Sequence, residues 1–496
     1  MTQSLLRRAG KAVALNAMGN WFGMISGMVS LVVIARLLSP TDFGVFGMVL
    51  VAFAIPEMFV SGSLNDSLIQ RRDLQPGHVN SVFMQSLILA GIFWLGISLA
   101  SPLIAGGFGH PELEPMMRFF SITLFMGAFA SIPAALLQRD LRFREITIVD
   151  ILGTLVAAIV GVVCAIYLRS AWALIFMEMS RRTVRLVAFT AITKWRPSVK
   201  TSWVETLELT RYNSLNMATR VIQSVESAFT RSAVGAVQGP AALGMFNMAT
   251  RLLEQAKAAV VQPFAAVALP VASQTQHDLP MLYRAIEGAM KLAALIAYPT
   301  FIGAFVIVPV AIPVVFGEQW TPAVPTIQIF FLMGLRTPTS AFNTGVLNGV
   351  GRVDWTFKIS FISLVLTGAL VAATLQISLE AVALAVLAQI LITWVIGAYA
   401  VKQSIGFPMH RQIVAGSTSL MASVVMAVVV WGVMRSLSDA IQAPIQLLIL
   451  VGVGVVSYAA ALASLAPAFA VRLWRASIMV AKGRRQEAIA LVKGGA

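Results

Sequence analysis

Charge is what this sequence has least of. Only 11% of its 496 residues are Asp, Glu, Lys or Arg, while 58% are hydrophobic and the mean hydropathy is +0.84. Soluble globular chains carry about 25% charged residues, so this one cannot dress a water-facing surface, and a soluble multidomain enzyme is excluded. Cysteine is nearly missing too. The single Cys164 lies in an apolar run and allows neither an intrachain disulfide nor a cysteine metal cluster. His78, His110, His277 and His410 all fall between apolar runs, so no intramembrane histidine relay or histidine metal site is expected. No Walker A sequence occurs, which removes ATP hydrolysis by that route, and no nucleophile sits beside a base. The expectation is no catalytic residue, no metal and no cofactor, with proton or sodium coupling left open. Acidic residues are the scarcer sign, 21 against 36 basic, for a formal net charge of +15. Nucleic acid is not the expected partner of that excess, because the basic residues sit almost entirely in short loops between apolar runs. That is how a membrane protein is oriented.

Apolar length, by contrast, is abundant. Runs of roughly 20 apolar residues place spans at 12–38, 43–65, 80–107, 117–137, 146–168, 171–193, 210–236, 241–269, 286–315, 323–348, 354–376, 380–401, 413–434 and 443–469. The fold expected is all-α and integral to a membrane: about 14 transmembrane helices, as two pseudo-symmetric six-helix bundles plus a C-terminal helix pair. The domains expected are an N-lobe at 1–200, a C-lobe at 201–411, the terminal pair at 412–470 and a basic amphipathic tail at 471–496. The segment 194–211, with Trp195 and Trp203, reads as a surface helix linking the lobes. Arg7, Arg8 and Lys11 precede an apolar run too long for a signal-peptide core, so the first span is expected to be retained. If the N-terminus is inside, the cytoplasmic segments collect Arg71, Arg72, Arg139, Arg142, Arg144, Arg181, Arg182, Arg185 and most of the other basic residues. The opposite side holds Arg36, Arg118, Arg169 and Arg435. One missed span would scramble this split, so both termini are expected on the cytoplasmic side of the membrane.

The halves repeat. Residues 40–48 read PTDFGVFGM and residues 240–248 read PAALGMFNM, matching Pro40 with Pro240, Gly44 with Gly244, Phe46 with Phe246 and Met48 with Met248. The same offset pairs Asn16 with Asn216, and LFMG at 124–127 answers FLMG at 331–334. Lobes with an even number of spans are parallel repeats about an axis along the membrane normal, with a substrate path between them; this is transporter architecture.

Ionisable residues inside spans are costly and usually face a cavity. Span seven carries Asn213, Asn216, Arg220, Gln223, Ser227 and Arg231 at steps of three and four, one face of a helix, with Glu226 alongside. Span eight carries Asn247, Arg251, Glu254, Gln255, Lys257 and Gln262, and Arg336 falls mid-span just before Pro338. The matching stripe of the first lobe is nearly uncharged (Asn16, Asn20, Gly23, Gly27), and Glu57, beside Pro56, is its main acid. Local pairs such as Arg251–Glu254 or Glu254–Lys257 would account for single residues. The stripe as a whole reads as a basic cavity for an anionic headgroup, because arginine forks onto phosphate. The substrate-binding candidates are Arg220, Arg231, Arg251, Arg336, Asn216 and Gln223. Candidates for coupling or gating are Glu57, Lys257, Glu254 and Glu226.

The segments ARLLSPTDFGVFGMV (35–49), SLIQRRDL (67–74), ALLQRDLRFREI (135–146) and NGVGRVDW (348–355) resemble the polysaccharide flippases of the Wzx type. These belong to the multidrug/oligosaccharidyl-lipid/polysaccharide exporter superfamily, and the resemblance covers residues 1 to about 470. It implies a V-shaped pair of six-helix bundles. It also implies movement of an undecaprenyl-diphosphate-linked oligosaccharide from the cytoplasmic to the periplasmic leaflet, for exopolysaccharide or lipopolysaccharide biosynthesis. The implied partners are that lipid-linked oligosaccharide, membrane lipids, a polysaccharide polymerase and glycosyltransferases. A flippase for the peptidoglycan precursor (lipid II) and a cation-coupled multidrug exporter are the rival readings. The exporter would be expected to have an acidic cavity.

Overall fold

The computed structural model describes residues 23–62, 68, 76–197, 214–261, 264, 278–437 and 441–467. Asn16, Asn20, Asn213, Gln262 and the tail at 471–496 lie outside the described residues. The helices are α1 (Gly23–Leu37), α2 (Pro40–Glu57), α3 (Pro76–Phe108), α4 (Leu113–Phe120), α5 (Ile122–Arg139), α6 (Phe143–Leu168) and α7 (Trp172–Thr193). Ser214–Val260 is two helices joined at Gly239, α8 (214–238) and α9 (240–260). There follow α10 (Leu279–Phe316), α11 (Val324–Gly334), α12 (Thr337–Gly349), α13 (Val353–Thr374), α14 (Leu379–Ile405), α15 (Met409–Val414), α16 (Ser417–Ser436) and α17 (Ala443–Leu465). The described residues contain no strand. Each expected span overlaps one of these helices or a consecutive pair.

Nine described helical segments are long and apolar enough to cross a membrane on composition alone. The spans that do not qualify are instructive. Apart from the shorter α1, they are α7, α8 and α9, which carry charge, and α11–α12, which is broken at Arg336. Polarity at membrane depth is therefore concentrated in a few helices.

The chain divides into two compact units, Met1–Asn247 and Met248–Ala496. In the first, α2 starts from a capping box: the Ser39 hydroxyl accepts from the Asp42 N–H at 3.2 Å, and the Asp42 carboxylate accepts from the Ser39 N–H at 2.9 Å. Pro40 fills the first turn, where its missing N–H costs nothing. The repeated glycines then find their reason. A Cβ on Gly44 would run into the Pro240 carbonyl, and a Cβ on Gly244 into the Pro40 carbonyl. The two copies of the motif thus cross each other reciprocally, backbone on backbone, as small residues permit in lipid. Next, α6 buries Gly153, Ala157, Gly161 and Ala165, one small residue per turn, which lets α7 lie close. α7 ends at Lys194 in a left-handed cap, and 194–197 is not helical. Trp195 instead packs edge-on against Phe83, ring centroids 5.1 Å apart. The expected surface helix therefore does not begin there, and the rest of 194–211 lies outside the described residues.

Prolines inside spans leave carbonyls that the helix cannot satisfy, and lipid offers no water to do so. Side chains fill the gaps. In α3, Pro102 frees the Ser98 carbonyl, which accepts from Ser101 Oγ at 2.9 Å and Arg118 Nε at 3.4 Å. In the second unit α10 contains Pro299, Pro309 and Pro313. The freed Leu295 carbonyl accepts from Tyr458 Oη at 2.8 Å, and the Phe305 carbonyl from Gln328 Nε2 at 2.9 Å. Through Tyr458, and through Met426, Val430 and Leu450 packed on Ile302 and Val306, the terminal pair α16–α17 is fastened to α10.

Two of the resemblance motifs build turns. Arg139 Nη1 reaches the Leu68 carbonyl at 2.8 Å. Arg352 forks onto Asp354 at 3.0 and 3.2 Å ahead of α13.

Candidate functional site

The charged face of α7 corrects the sequence reading twice. Arg181, Arg182 and Arg185, expected in a cytoplasmic segment, stand at the middle of a 22-residue helix. At 1.5 Å of rise per residue Arg181 and Arg182 are about 15 Å from either end, the half-thickness of a bilayer's hydrocarbon core. Glu57 is also not the main acid of this half, because Glu178 is more deeply buried and makes more ion pairs. Arg181 forks onto Glu178, Nη2 to Oε1 at 2.7 Å and Nε to Oε2 at 3.0 Å. Arg182 Nε donates to the same Oε1 at 2.8 Å. Its Nη2 reaches across to α2, 2.9 Å from Glu57 Oε1 and 3.0 Å from Oε2, while the guanidinium lies 5.5 Å over the buried Phe120 ring. One turn on, Arg185 Nε sits 3.4 Å from Asp150 on α6. The network is buried at Glu178 and Arg182, with side chains 11% and 16% exposed, and open at Glu57 and Arg181, 42% and 44% exposed. The signal was present in the sequence: Glu178, Arg181, Arg182 and Arg185 follow the i, i+3, i+4, i+7 rule for one helix face inside a drawn span.

Glu57 is delivered by an irregular segment. Pro56 lies within the last turn of α2, and the chain continues into a π-turn at Met58–Gly62. Ser61 of that turn packs where a Cβ on Gly127 would stand, and Ser224 Oγ of α8 approaches Met58 Sδ at 3.4 Å.

The sequence candidates fall into two groups. In the first unit α8 carries Arg220 and Gln223, both exposed, and Glu226 and Arg231, both half-buried. Asn216 lies on the same helix, its side chain outside the described ones. In the second unit Arg251 is exposed, and Lys257 Nζ donates to Glu254 Oε1 at 2.7 Å. Glu254 thus has the local partner that the one-turn spacing allows. Arg336 is not within a continuous helix. It caps α12, where Pro338 stands in the first turn and the Arg336 carbonyl accepts from Ser340 N at 2.9 Å and Thr339 Oγ1 at 2.9 Å. Among the described residues no group of His, Cys, Asp or Glu could hold a metal ion.

Apolar spans with a repeated helix-crossing motif, and with charge held in a few helices, define a multi-pass membrane protein. In fold the chain is similar to the lipid II flippase MurJ in an inward closed conformation, with a TM-score of 0.76, 14% identity, and coverage of 91% of this chain and 98% of that one. It is also similar to an inward-facing multidrug resistance MATE family transporter of the MOP superfamily, with a TM-score of 0.62, 13% identity, and coverage of 77% and 94%. The profile of the polysaccharide biosynthesis protein family matches residues 33–325, and the chain belongs to that family. Similar relatives include the succinoglycan biosynthesis transport protein ExoT of Rhizobium meliloti, 24% identical over 65% of this chain and 66% of the relative. The lipopolysaccharide biosynthesis protein WzxC of Escherichia coli is 24% identical over 67% and 68%, and the teichuronic acid biosynthesis protein TuaB of Bacillus subtilis 20% identical over 59% and 61%. The matches thus span about two thirds of these relatives' length.

Proposed function

We propose that the chain is a flippase that moves a lipid-linked oligosaccharide between membrane leaflets for polysaccharide biosynthesis. The observation that carries the reading is family membership together with relatives that serve three different polysaccharides, succinoglycan, lipopolysaccharide and teichuronic acid. What the lipid-linked oligosaccharides implied by the resemblance would have in common is not the sugar but the anionic diphosphate and polyprenyl chain that bear it. Arginines at membrane depth suit that shared part, since a guanidinium binds phosphate bidentately. In this reading the substrate is undecaprenyl-diphosphate-linked and travels from the cytoplasmic to the periplasmic leaflet of the inner membrane, with both termini of the chain cytoplasmic. Arg220, Arg231, Arg251 and Arg336 are stations for the diphosphate, with Asn216 and Gln223 beside them. Glu57, Glu226, Glu254 and Lys257 are candidates for coupling to a proton or sodium ion, and a polymerase and glycosyltransferases act downstream and upstream.

Deletion of the gene tests this directly. Lipid-linked oligosaccharide accumulates in the cytoplasmic leaflet, and the surface polysaccharide is lost. Unchanged polysaccharide with no accumulated intermediate would refute the reading. The MurJ-like fold makes lipid II the second substrate to try. Rescue of a strain depleted of its lipid II flippase would transfer the assignment to peptidoglycan.

A further inference from the structure

Glu57 occupies a place in the α7 network that an anionic substrate group would fill equally well. Glu178 has committed both carboxylate oxygens to Arg181 and Arg182, in a part of the network that is nearly closed. Arg182 Nη2 instead donates to Glu57, and Glu57 alone of the four groups comes from another helix. Glu57 is open, 42% exposed against 16% for its partner Arg182. It also sits between Pro56 and the π-turn Met58–Gly62, where regular α-helical bonding gives way. Joining α2 to α7 does not by itself require these charges, since apolar residues of similar volume are often as stabilising as a buried ion pair. With Glu57 in place the quartet of Glu57, Glu178, Arg181 and Arg182 is neutral. Without it the quartet carries one positive charge at mid-depth, which must be neutralised by another anion.

The geometry points to Arg182 as a phosphate-binding residue whose site Glu57 fills when no substrate is bound. A carboxylate and a phosphate oxygen present the same acceptor to a guanidinium, so substrate and Glu57 compete for one donor. This rests on the reading that the substrate bears a diphosphate, and it places a contact on α7, outside the stripe of α8 and α9.

The test uses the full chain in phosphatidylcholine nanodiscs, titrated with undecaprenyl diphosphate, with undecaprenol and phosphatidylglycerol as comparisons. Glu57→Gln removes the competitor and binds the diphosphate lipid roughly tenfold more tightly than wild type, while Arg182→Gln binds it roughly tenfold more weakly. Arg182→Lys falls between wild type and Arg182→Gln. In the Arg182→Gln background, Glu57→Gln no longer gains anything. Glu57→Asp, which keeps the charge but shortens its reach, gives a smaller gain and serves if the glutamine variant does not fold. Unchanged or weaker binding by either Glu57 variant at wild-type melting temperature overturns the inference, as does a gain that persists without Arg182. An equal gain for phosphatidylglycerol reassigns the site to phospholipid headgroups and overturns its link to substrate. Wild-type protein that binds undecaprenol as well as the diphosphate would bring down the flippase reading too. A wild-type preference for the diphosphate with no Glu57 effect brings down this inference alone.

Discussion

α7 and α8 are both more polar than most of the other spans, yet they differ in how far their charge is exposed. On α7 one acid and three arginines share a face at one-turn spacing and pair with each other and with acids of α2 and α6, so Glu178 is buried and Arg182 largely so. On α8 the arginines stand about three turns apart, and Arg220 and Gln223 remain exposed. A charge that is buried must be balanced where it stands, whereas one that faces open volume can be offered to a ligand. On the proposed function the same residue type has two different thermodynamic roles in α7 and α8, and substitution separates them.

The sharpest break would come at Glu178. Glu178→Ala strands Arg181 and Arg182 without their shared carboxylate, and truncating one side of a buried pair costs about 3–5 kcal/mol. The expected result is a large loss of melting temperature in detergent, with little protein recovered from the membrane. Wild-type melting by Glu178→Ala would show that the α7 network is as open as the α8 stripe, and the contrast would disappear.

Arg220 is the complementary case. Arg220→Ala is expected to change stability by no more than about 0.5 kcal/mol, as exposed positions do. Export should fall by a charge-assisted contact worth about 1.5–3 kcal/mol, tenfold or more. Lysine should rescue in part, because it cannot fork onto a phosphate. Polysaccharide output from variants matched for membrane level is the readout. Full export by Arg220→Ala would mean that α8 offers its charge to nothing.

What was legible in the sequence follows from the same contrast. Spans were legible because lipid demands about 20 apolar residues in a row, and for the less apolar α8 and α9 the split of basic residues between alternating loops gave a second check. That the two copies of the motif touch each other was not legible, since a repeat says two segments are alike and nothing about their meeting. The α7 network was half legible. Its periodicity lay in the open, but counting arginines as orientation signals sent three of them to a loop. Arg182's partner Glu57 is 125 residues away, and Tyr458's carbonyl 163 residues away. No local pattern reports such pairings. Pro299 announces that a carbonyl needs a donor, but not which helix supplies it.

The smallest expected effect sharpens the comparison within the repeat itself. Lys257 occupies the position in the second half that Glu57 occupies in the first, at the same offset that relates Pro40 to Pro240. Glu57 pairs with a residue of another helix, whereas Lys257 pairs within its own, 2.7 Å from Glu254 one turn back. A one-turn pair whose acid is more than half exposed is worth about 0.2–0.5 kcal/mol before salt screening. Lys257→Gln should therefore melt within about 0.5 kcal/mol of wild type, and moderate salt should narrow even that difference. A larger loss would mean that Lys257 is tied into the fold as tightly as Glu57, and the two halves would be alike after all. Export then separates the remaining roles. A transport defect at wild-type stability assigns Lys257 to coupling, where its charge acts on a moving ion or substrate rather than on the folded state.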